Sequence, residues 1–358
     1  MRVPDKPGFG FLLIGALAVL LLTGCGSLGP KTMDRDQLNY GNSVGNNWKN
    51  QMLANLVKIR FVDMPVFVDV GQIVSGYTLE AQVSSEVGFG NSLTGTDQQV
   101  FGAGGKYTDR PTITYTPKTG ENYLRSLLTP VDPNAILSLV LAGYSPELLF
   151  TWSVESINGV RNYSTARARF RDADPRFQEF LQLLNELQDA GGIGFKLDQD
   201  PDSSEKIIFF FTQRTLTPEM AEKRKRIRDL LDLDPGRDSF RVVYSPFAME
   251  PDVLAIQTRS ILQTLISMSG FVDVPADKQS WAAGGYRLPP GEHRPFHVNT
   301  SKERPESAYA VFEYQGDWYW IDHTDLDSKR VFSLMLFLTT LTNQAEDKDR
   351  PVLTIPTD

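Results

Sequence analysis

In this chain of 358 residues, the three histidines are the side chains best suited to metal binding or to proton transfer near neutral pH. His293 and His297 lie four positions apart in the segment HRPFH, a spacing that can place two zinc ligands on one face of a helix. Pro295 lies between them, and a proline inside a helix removes a hydrogen bond and clashes with the preceding turn. The segment therefore indicates loop histidines more strongly than a zinc site.

The third histidine, His323, lies in the acidic segment WIDHTDLD, close to Asp322 and Asp325. Carboxylates at these positions can bind a cation or orient an imidazole ring. The segment lacks the central glycine and the distal glutamate of a calcium-binding loop, and acids are expected where a strand ends and a helix begins. The sequence leaves open a hydrolase or a metal-dependent enzyme that uses the three histidines with Asp322 or Asp325.

Two short motifs match those of the penicillin-binding class of serine hydrolases. Ser203–Lys206 matches S-x-x-K, and Lys118–Gly120 matches K-T-G. Their order along the chain is reversed, and the S-x-x-K motif lies in a polar loop instead of on a helix. Such short motifs recur by chance. We therefore predict no catalytic residue, no cofactor and no metal site, and a non-catalytic role is favoured over an enzymatic one.

The single cysteine, Cys25, follows an uncharged run from Gly8 to Leu22. This run has 15 residues, which is short for a membrane-spanning helix of about 20 residues. A charged start, a short apolar run and a small-residue end are typical of a secretory signal peptide. Leu22, Thr23, Gly24 and Cys25 resemble the lipobox of bacterial lipoproteins, in which a branched apolar residue and two small residues precede a cysteine.

The resemblance implies a lipid anchor on Cys25 and a location in the bacterial cell envelope. In that class the cysteine receives a diacylglyceryl group, a signal peptidase recognises residues 22–24 and cuts before the cysteine, and the new N-terminus is acylated. Two or three acyl chains hold a protein stably on a membrane, so the membrane is an expected partner. The next residue is Gly26 instead of aspartate, which implies the outer membrane, with the body facing the periplasm.

Composition excludes several classes of function. Removal of residues 1–24 deletes Arg2, Lys6 and Asp5, which leaves 34 basic and 43 acidic residues and a net charge of −9. An acidic body has no general attraction for phosphate backbones, so nucleic-acid binding is not expected. With Cys25 lipidated no thiol remains, which excludes disulfides, cysteine catalysis and thiolate metal sites.

Two surface features are candidate sites for a protein or cell-wall partner. The first is a basic block in an acidic chain, which favours an anionic partner such as a lipid headgroup or a cell-wall polymer. The second is an aromatic hairpin in which strand alternation places two tryptophans on one face, where they can stack on sugars or contact a protein. The residues are Lys223, Arg224, Lys225 and Arg226 in the basic block and Trp318 and Trp320 in the hairpin.

The order of the predicted elements indicates the α+β class, with mixed helices, mainly antiparallel strands and two subdomains. The chain is long enough for two domains of ordinary size. The predicted segments are a lipoprotein signal peptide over 1–24, a lipidated tether over 25–33, an N-terminal α+β region with a glycine-rich loop over 34–165, and a C-terminal α+β domain over 166–358.

Periodicity and turn residues predict the elements within these segments. Apolar spacing predicts a helix from Asp34 to Phe61, and the glycine-rich segment from Glu86 to Gly105 predicts a flexible loop or a long hairpin. We expect a strand from Leu148 to Ile157 that ends in an Asn158-Gly159 hairpin turn. Further along, we expect a helix that begins at Asp252 and ends at Gly270.

The lipid anchor and the lack of a convincing catalytic set together predict an outer-membrane-anchored periplasmic lipoprotein that acts as a non-catalytic binding or envelope-assembly factor. One alternative is an envelope hydrolase or metal-dependent enzyme built on the histidines described above. Another is an accessory subunit of a transport or secretion complex, which docks through the aromatic hairpin or the glycine-rich segment.

Overall fold

The chain folds as an α+β protein in the computed structural model, which confirms the predicted class. The structure describes residues 28–74, 77–87, 99–109, 112–164, 171–198, 206–212, 217–286 and 294–343. The helices in these ranges are α1 (Leu28–Arg60), α2 (Glu121–Leu128), α3 (Pro133–Leu141), α4 (Pro146–Ser153), α5 (Pro175–Asp189), α6 (Pro218–Leu230), α7 (Ile261–Ser269), a 3₁₀ helix (Ala276–Trp281) and α8 (Leu326–Asn343). The strands are β1 (Val68–Val74), β2 (Tyr77–Val87), β3 (Gln99–Asp109), β4 (Thr112–Pro117), β5 (Val154–Ile157), β6 (Val160–Arg161), β7 (Ile193–Asp198), β8 (Lys206–Phe211), β9 (Ser239–Tyr244), β10 (Val253–Thr258), β11 (Asn299–Ser301), β12 (Ala310–Tyr314) and β13 (Asp317–Ile321).

The strands form one large sheet and three smaller ones within the described residues. The large sheet has six strands in the order β6-β5-β10-β9-β8-β7. Its neighbours pair antiparallel except β9 and β10, which are parallel. A second sheet has the antiparallel order β11-β13-β12, and β1–β4 and β2–β3 form antiparallel pairs. The antiparallel pairing of β2 with β3 fits the long-hairpin alternative predicted for the glycine-rich segment, of which residues 88–98 lie outside the described residues.

The chain forms two compact units, one ending at Asn50 and one beginning at Gln51. In the first unit the described residues belong to α1, which begins at Leu28 and so includes part of the predicted tether. The helix predicted from Asp34 to Phe61 is confirmed. The second unit contains the sheets and the sites described below, and its six-stranded sheet draws strands from both predicted α+β segments. The domain boundary predicted near residue 165 stays a prediction.

The strand predicted from Leu148 to Ile157 is wrong over its first part. The chain forms helix α4 as far as Ser153, and only the last four residues form strand β5. Ser145 caps the N-terminus of α4 by accepting a hydrogen bond from a backbone N–H, and Pro146 occupies its first turn. Both are strong helix-start signals, and they outweigh the β-branched residues that follow.

The helix predicted to begin at Asp252 is also wrong at its start. Residues Val253–Thr258 form strand β10, and α7 begins after Ser260. The side chains of Ser260 and Gln263 form a reciprocal capping box with each other's backbone N–H groups. This motif satisfies the backbone N–H groups of Ser260 and Gln263, which have no partner inside the helix. It therefore fixes the start of α7. Strand β10 is thereby available to pair with β5 and β9.

A continuous cluster of buried apolar side chains forms the core of the second unit. Trp152, at the end of α4, connects several of its elements: its ring centroid lies 6.1 Å from that of Tyr163, 5.5 Å from that of Phe271 and 6.0 Å from that of Phe296, all in edge-on geometry. Edge-on aromatic pairs add stability beyond the burial of their area. This packing fixes the C-terminal end of α4 inside the molecule.

A buried ion pair holds the 3₁₀ helix against the β12–β13 hairpin. Lys278 donates hydrogen bonds to the carboxylate of Asp317 and to the carbonyl oxygen of Gln315, and both charged side chains are buried. The exposed Lys302 contacts the other carboxylate oxygen of Asp317 at 2.7 Å. Burial raises the pKa of Asp317, but the hydrogen bonds from Lys278 and Lys302 outweigh burial, so the pKa lies below its usual value. The carboxylate therefore stays charged and depends on Lys278.

We expect Lys278→Met to lower the free energy of unfolding by about 3 kcal/mol, because it leaves Asp317 buried without its buried partner. Lys302→Met removes the exposed partner of the same carboxylate, so its cost should be much smaller than that of Lys278→Met. Urea unfolding of both variants measures the difference. Equal losses of unfolding free energy in the two variants would contradict the importance assigned to the buried partner Lys278.

Candidate functional site

The C-terminal turn of α4 ends inside the protein, where its backbone carbonyl groups need hydrogen-bond donors. The guanidinium group of Arg259 is 1% exposed, and its Nη1 lies 3.4 Å from the carbonyl oxygens of Thr151 and Trp152. The side-chain amide of Asn162 donates to the carbonyl oxygens of Thr151, at 2.9 Å, and of Val154, at 2.8 Å. A cation at a helix C-terminus also interacts favourably with the helix dipole. Arg259 and Asn162 therefore close the end of α4.

A buried charge is costly unless it is paired, so Arg259 needs a carboxylate. Glu155 of β5 provides one, with Oε2 at 3.0 Å from Nε of Arg259. The other oxygen, Oε1, accepts a hydrogen bond from Nη2 of Arg171 at 2.6 Å. The same Nη2 donates to the carbonyl oxygen of Asn162 at 3.0 Å. Two arginines thus share one carboxylate, which leaves positive charge in excess.

A pocket of about 400 Å³ opens beside this shared carboxylate, and we call it the arginine pocket. The volume lies within the range of small-molecule sites, roughly 300–1,000 Å³. Its lining combines charged, polar and apolar side chains. The lining residues are Arg161, Arg171, Arg259, Glu155, Ser164, Gln257, Gln263, Ser267, Pro246 and Phe247.

The charges that line the arginine pocket do not cancel. Among the described residues, three arginines and one glutamate of the lining give a net charge of +2, in a chain whose net charge is −8. Arg161 of β6 is exposed and has no ion-pair partner among the described residues. Arginine binds carboxylate and phosphate groups through two parallel hydrogen bonds. The pocket is therefore suited to a small anion, with the serine and glutamine side chains as additional donors.

Part of the predicted site set lies outside the described residues. These residues are Leu22, Thr23, Gly24, Cys25 and His293. Their assigned roles stay predictions. None of the helices in the described part of the chain combines the length and the apolar character needed to cross a bilayer.

The predicted basic block lies on α6, and much of its charge is compensated within the protein. Lys223 pairs with Glu219 at 2.6 Å and with Glu186 at 3.0 Å. Arg226 binds Glu179 through two hydrogen bonds of 2.6 and 2.8 Å. These contacts reduce the positive potential that the block offers to an anionic partner.

The two remaining members of the basic block differ from each other. Arg224 pairs with Asp238, donates to the carbonyl oxygen of Thr212 at 3.2 Å and lies over the ring of Phe211. Lys225 is exposed and has no ion pair within the described ranges. The role of the block as a partner site stays a prediction.

Trp318 and Trp320 lie on one face of β13, as strand alternation predicts. Both are half-buried, whereas Tyr319 and Ile321 on the opposite face are fully buried in the core. The guanidinium group of Arg304 lies 5.2 Å from the ring centre of Trp318, in cation–π geometry. The tryptophan face is therefore accessible from one side, and its predicted contact with a sugar or a protein stays a prediction.

His297 is the predicted histidine that the structure places in a polar cluster. Its Nε2 lies 2.8 Å from Oδ2 of Asp273, and Oδ1 of Asp273 accepts a hydrogen bond from Arg294 at 2.9 Å. Burial raises the pKa of Asp273, but the hydrogen bonds from His297 and Arg294 outweigh burial and hold that pKa below its usual value. Asp273 and Arg294 also line a second cavity of about 470 Å³. The carboxylate partner of His297 is Asp273, and neither Asp322 nor Asp325.

The acids near His323 have structural roles in the turn before α8. Asp322 Oδ1 accepts hydrogen bonds from the backbone N–H and from the hydroxyl of Thr324, both at 2.7 Å. Asp325 accepts from the backbone N–H of Ser328 at 2.9 Å and from its hydroxyl at 2.6 Å. His323 itself is exposed. Within the described ranges no group of three or more histidine, cysteine, aspartate or glutamate side chains is placed to hold a metal ion.

Comparison with protein families, with curated proteins and with solved structures finds no match for this chain. The assignment of function therefore depends on the geometry of the site.

The residues of the arginine pocket are absent from the sites predicted from sequence. Arg161 lies two residues after the Asn158-Gly159 turn, whose positive φ angles of 45° and 81° confirm the predicted hairpin turn. Arg259 directly precedes the capping box at the start of α7. The capping-box residues Ser260 and Gln263 are the sequence signal that could have located Arg259, because they mark a helix start directly after it. Nothing local indicates that Arg161, Arg171 and Arg259 meet.

We expect Asp273→Asn to lower the free energy of unfolding at pH 7 by about 1 kcal/mol, since it weakens hydrogen bonds to a half-exposed charge. The folded-state pKa of Asp273 is lowered, so its stabilisation is present above the unfolded pKa, about 3.9, and is lost as pH falls through the folded value. Urea unfolding at several pH values below 5 should show a smaller loss of stability in the variant than in the natural chain.

Asp277→Asn is the matched control, because Asp277 is exposed and has no ion pair among the described residues. It should leave the stability at pH 7 unchanged. An Asp273→Asn variant with the same acid dependence as the natural chain would contradict the role assigned to Asp273.

Proposed function

We propose that this protein is a lipid-anchored, non-catalytic binding protein of the bacterial outer membrane, with its body in the periplasm, and that it holds a small anionic ligand in the arginine pocket. The observation that carries the proposal is the net charge of +2 that the described residues give to the lining of a cavity of about 400 Å³, in an otherwise acidic chain. A cavity with this lining favours an anion over neutral or cationic ligands, because arginine cannot lose its charge in a protein.

The arrangement of the histidines supports a binding role over hydrolysis. His297 has a carboxylate partner in Asp273, which is the geometry of a general base. A serine hydrolase or a metallohydrolase also needs a nucleophilic serine or a set of metal ligands beside that base. Ser328 contacts the backbone N–H of His297 rather than its ring, and its hydroxyl is engaged by Asp325. Within the described part of the chain, His297 therefore lacks the partner that either of these two classes of hydrolase requires.

The lipid anchor is tested at Cys25. In cells given an alkyne fatty acid, the natural chain should incorporate the label and migrate at the processed size. Cys25→Ser should abolish labelling and leave the precursor unprocessed, because the thiol is the group that accepts the lipid. Globomycin, which inhibits the lipoprotein signal peptidase, should make the natural chain accumulate as precursor.

Ser27→Ala is the control for this experiment, since it changes a hydroxyl two residues after the cysteine. It should be labelled and processed like the natural chain. Unchanged processing and unchanged membrane fractionation of Cys25→Ser would contradict the anchor.

The anion site is tested by isothermal titration calorimetry with inorganic phosphate. We expect saturable binding that weakens as sodium chloride is added, because salt screens the guanidinium groups. Arg161→Gln should weaken binding about tenfold, which corresponds to the loss of one charge-assisted hydrogen bond of roughly 1.4 kcal/mol.

Lys225→Gln is the matched control, because it removes the same charge from an exposed position of α6 outside the pocket lining. Its affinity for phosphate should equal that of the natural chain. Equal weakening by the two substitutions would mean that net charge alone attracts phosphate, and the arginine pocket would then not be the site.

A further inference from the structure

One exposed apolar side chain lines the arginine pocket, and two more lie within three residues of it along the chain. Phe247 lies in the segment that joins β9 to β10, and it lines the pocket while it remains 57% exposed. Met249, two residues further along the same segment, is 92% exposed, and Tyr244 at the end of β9 is 50% exposed. Exposed apolar area is unfavourable in water. A run of such side chains beside a charged cavity indicates an interaction surface.

The exposure of Phe247 is built into the conformation of this segment. The hydroxyl of Ser245 donates to the carbonyl oxygen of Phe247 at 2.8 Å and accepts from its backbone N–H at 3.4 Å. The phenyl ring packs closely on Gly159, where an added Cβ atom would lie 3.0 Å from Cδ1. Gly159 belongs to the turn that leads into Arg161. The ring is therefore held next to one of the pocket arginines, with its outer side in water.

Acidic side chains of the same segment reduce the positive charge beside the pocket but do not reverse it. Glu250 and Asp252 both pair with Arg241, at 2.6 and 2.9 Å. One arginine compensates one of the two carboxylates, which leaves a single negative charge there against the +2 of the arginine pocket among the described residues. The sum of these charges beside Phe247 is therefore +1, although the chain as a whole is acidic. A ligand that matches both features carries an anionic group next to an apolar group.

We infer that the arginine pocket and the adjoining apolar side chains bind an anionic phospholipid at a membrane surface. The phosphate of the headgroup enters the pocket, where Arg161 and Arg171 bind it, and Phe247 and Met249 enter the region between headgroups and acyl chains. Peripheral proteins combine basic and apolar side chains in this way. The inference rests on the proposed function, because it names the ligand of the same pocket. A free phosphate ester would use the arginines but would leave the apolar side chains in water.

The experiment places a spin label at position 249. The mature chain has no other free thiol once Cys25 is lipidated, so Met249→Cys gives a single labelling site, and the natural chain treated with the same reagent gives the background. The purified lipidated protein is reconstituted into vesicles of phosphatidylcholine alone or of phosphatidylcholine with phosphatidylglycerol. Collision of the label with oxygen, which enters the bilayer, is compared with collision with a nickel complex, which stays in water.

We expect the ratio of oxygen to nickel collisions at position 249 to rise several-fold in the vesicles that contain phosphatidylglycerol, and not in phosphatidylcholine alone. Arg161→Gln should abolish the rise, because it removes a headgroup contact. Met64→Cys is the matched control: Met64 is 76% exposed in a different loop, and its label should stay in water in both kinds of vesicle.

An equal rise in both kinds of vesicle, or a rise that survives Arg161→Gln, would overturn recognition of the anionic headgroup. No rise with phosphatidylglycerol, in a protein that still binds inorganic phosphate, would overturn the lipid assignment and leave the proposed function standing. Loss of both responses would overturn the inference and the proposed function together.

Discussion

The buried end of α4 imposes the constraint on which the rest of the site depends. Carbonyl groups in that turn are away from water and must accept hydrogen bonds from the protein. Arg259 donates to two of them and is itself buried, so it requires the carboxylate of Glu155. Glu155 has a second oxygen, which binds Arg171. Each contact follows from the cost of leaving the previous buried group unsatisfied, and the result is a shared carboxylate with excess positive charge.

Compensation of charge, more than the number of basic residues, distinguishes the two basic regions of this chain. On α6 the side chains of Lys223 and Arg226 pair with glutamates, so their charge contributes to the stability of the body. At the arginine pocket one glutamate serves two arginines, and Arg161 adds a third positive charge. A ligand anion at the pocket would complete the charge balance that the protein leaves open.

The sequence predicts the fold class and the elements with clear local signals. The Asn158-Gly159 turn, the aromatic hairpin of Trp318 and Trp320, and the first long helix follow from turn residues and periodicity. The prediction is wrong for α4 from Leu148 onward and for strand β10, because the apolar residues of both segments suit a helix as well as a strand. The helix caps at Ser145 and Ser260 decide between the two. The pocket itself depends on pairing of β5 with β10, residues about a hundred positions apart, which no local pattern reveals.

Arg259 has a structural role, whereas Arg161 and Arg171 are the residues proposed to bind the ligand. The Nε–Hε resonances of arginine, followed by NMR during titration with glycerol 3-phosphate, test both roles at once. We expect the Arg259 resonance to exchange slowly with solvent and not to shift, because its Nε–H is buried against Glu155, and we expect the resonances of Arg161 and Arg171 to shift together and saturate. A rapidly exchanging Arg259 resonance, or a titration that shifts no arginine, would contradict these roles.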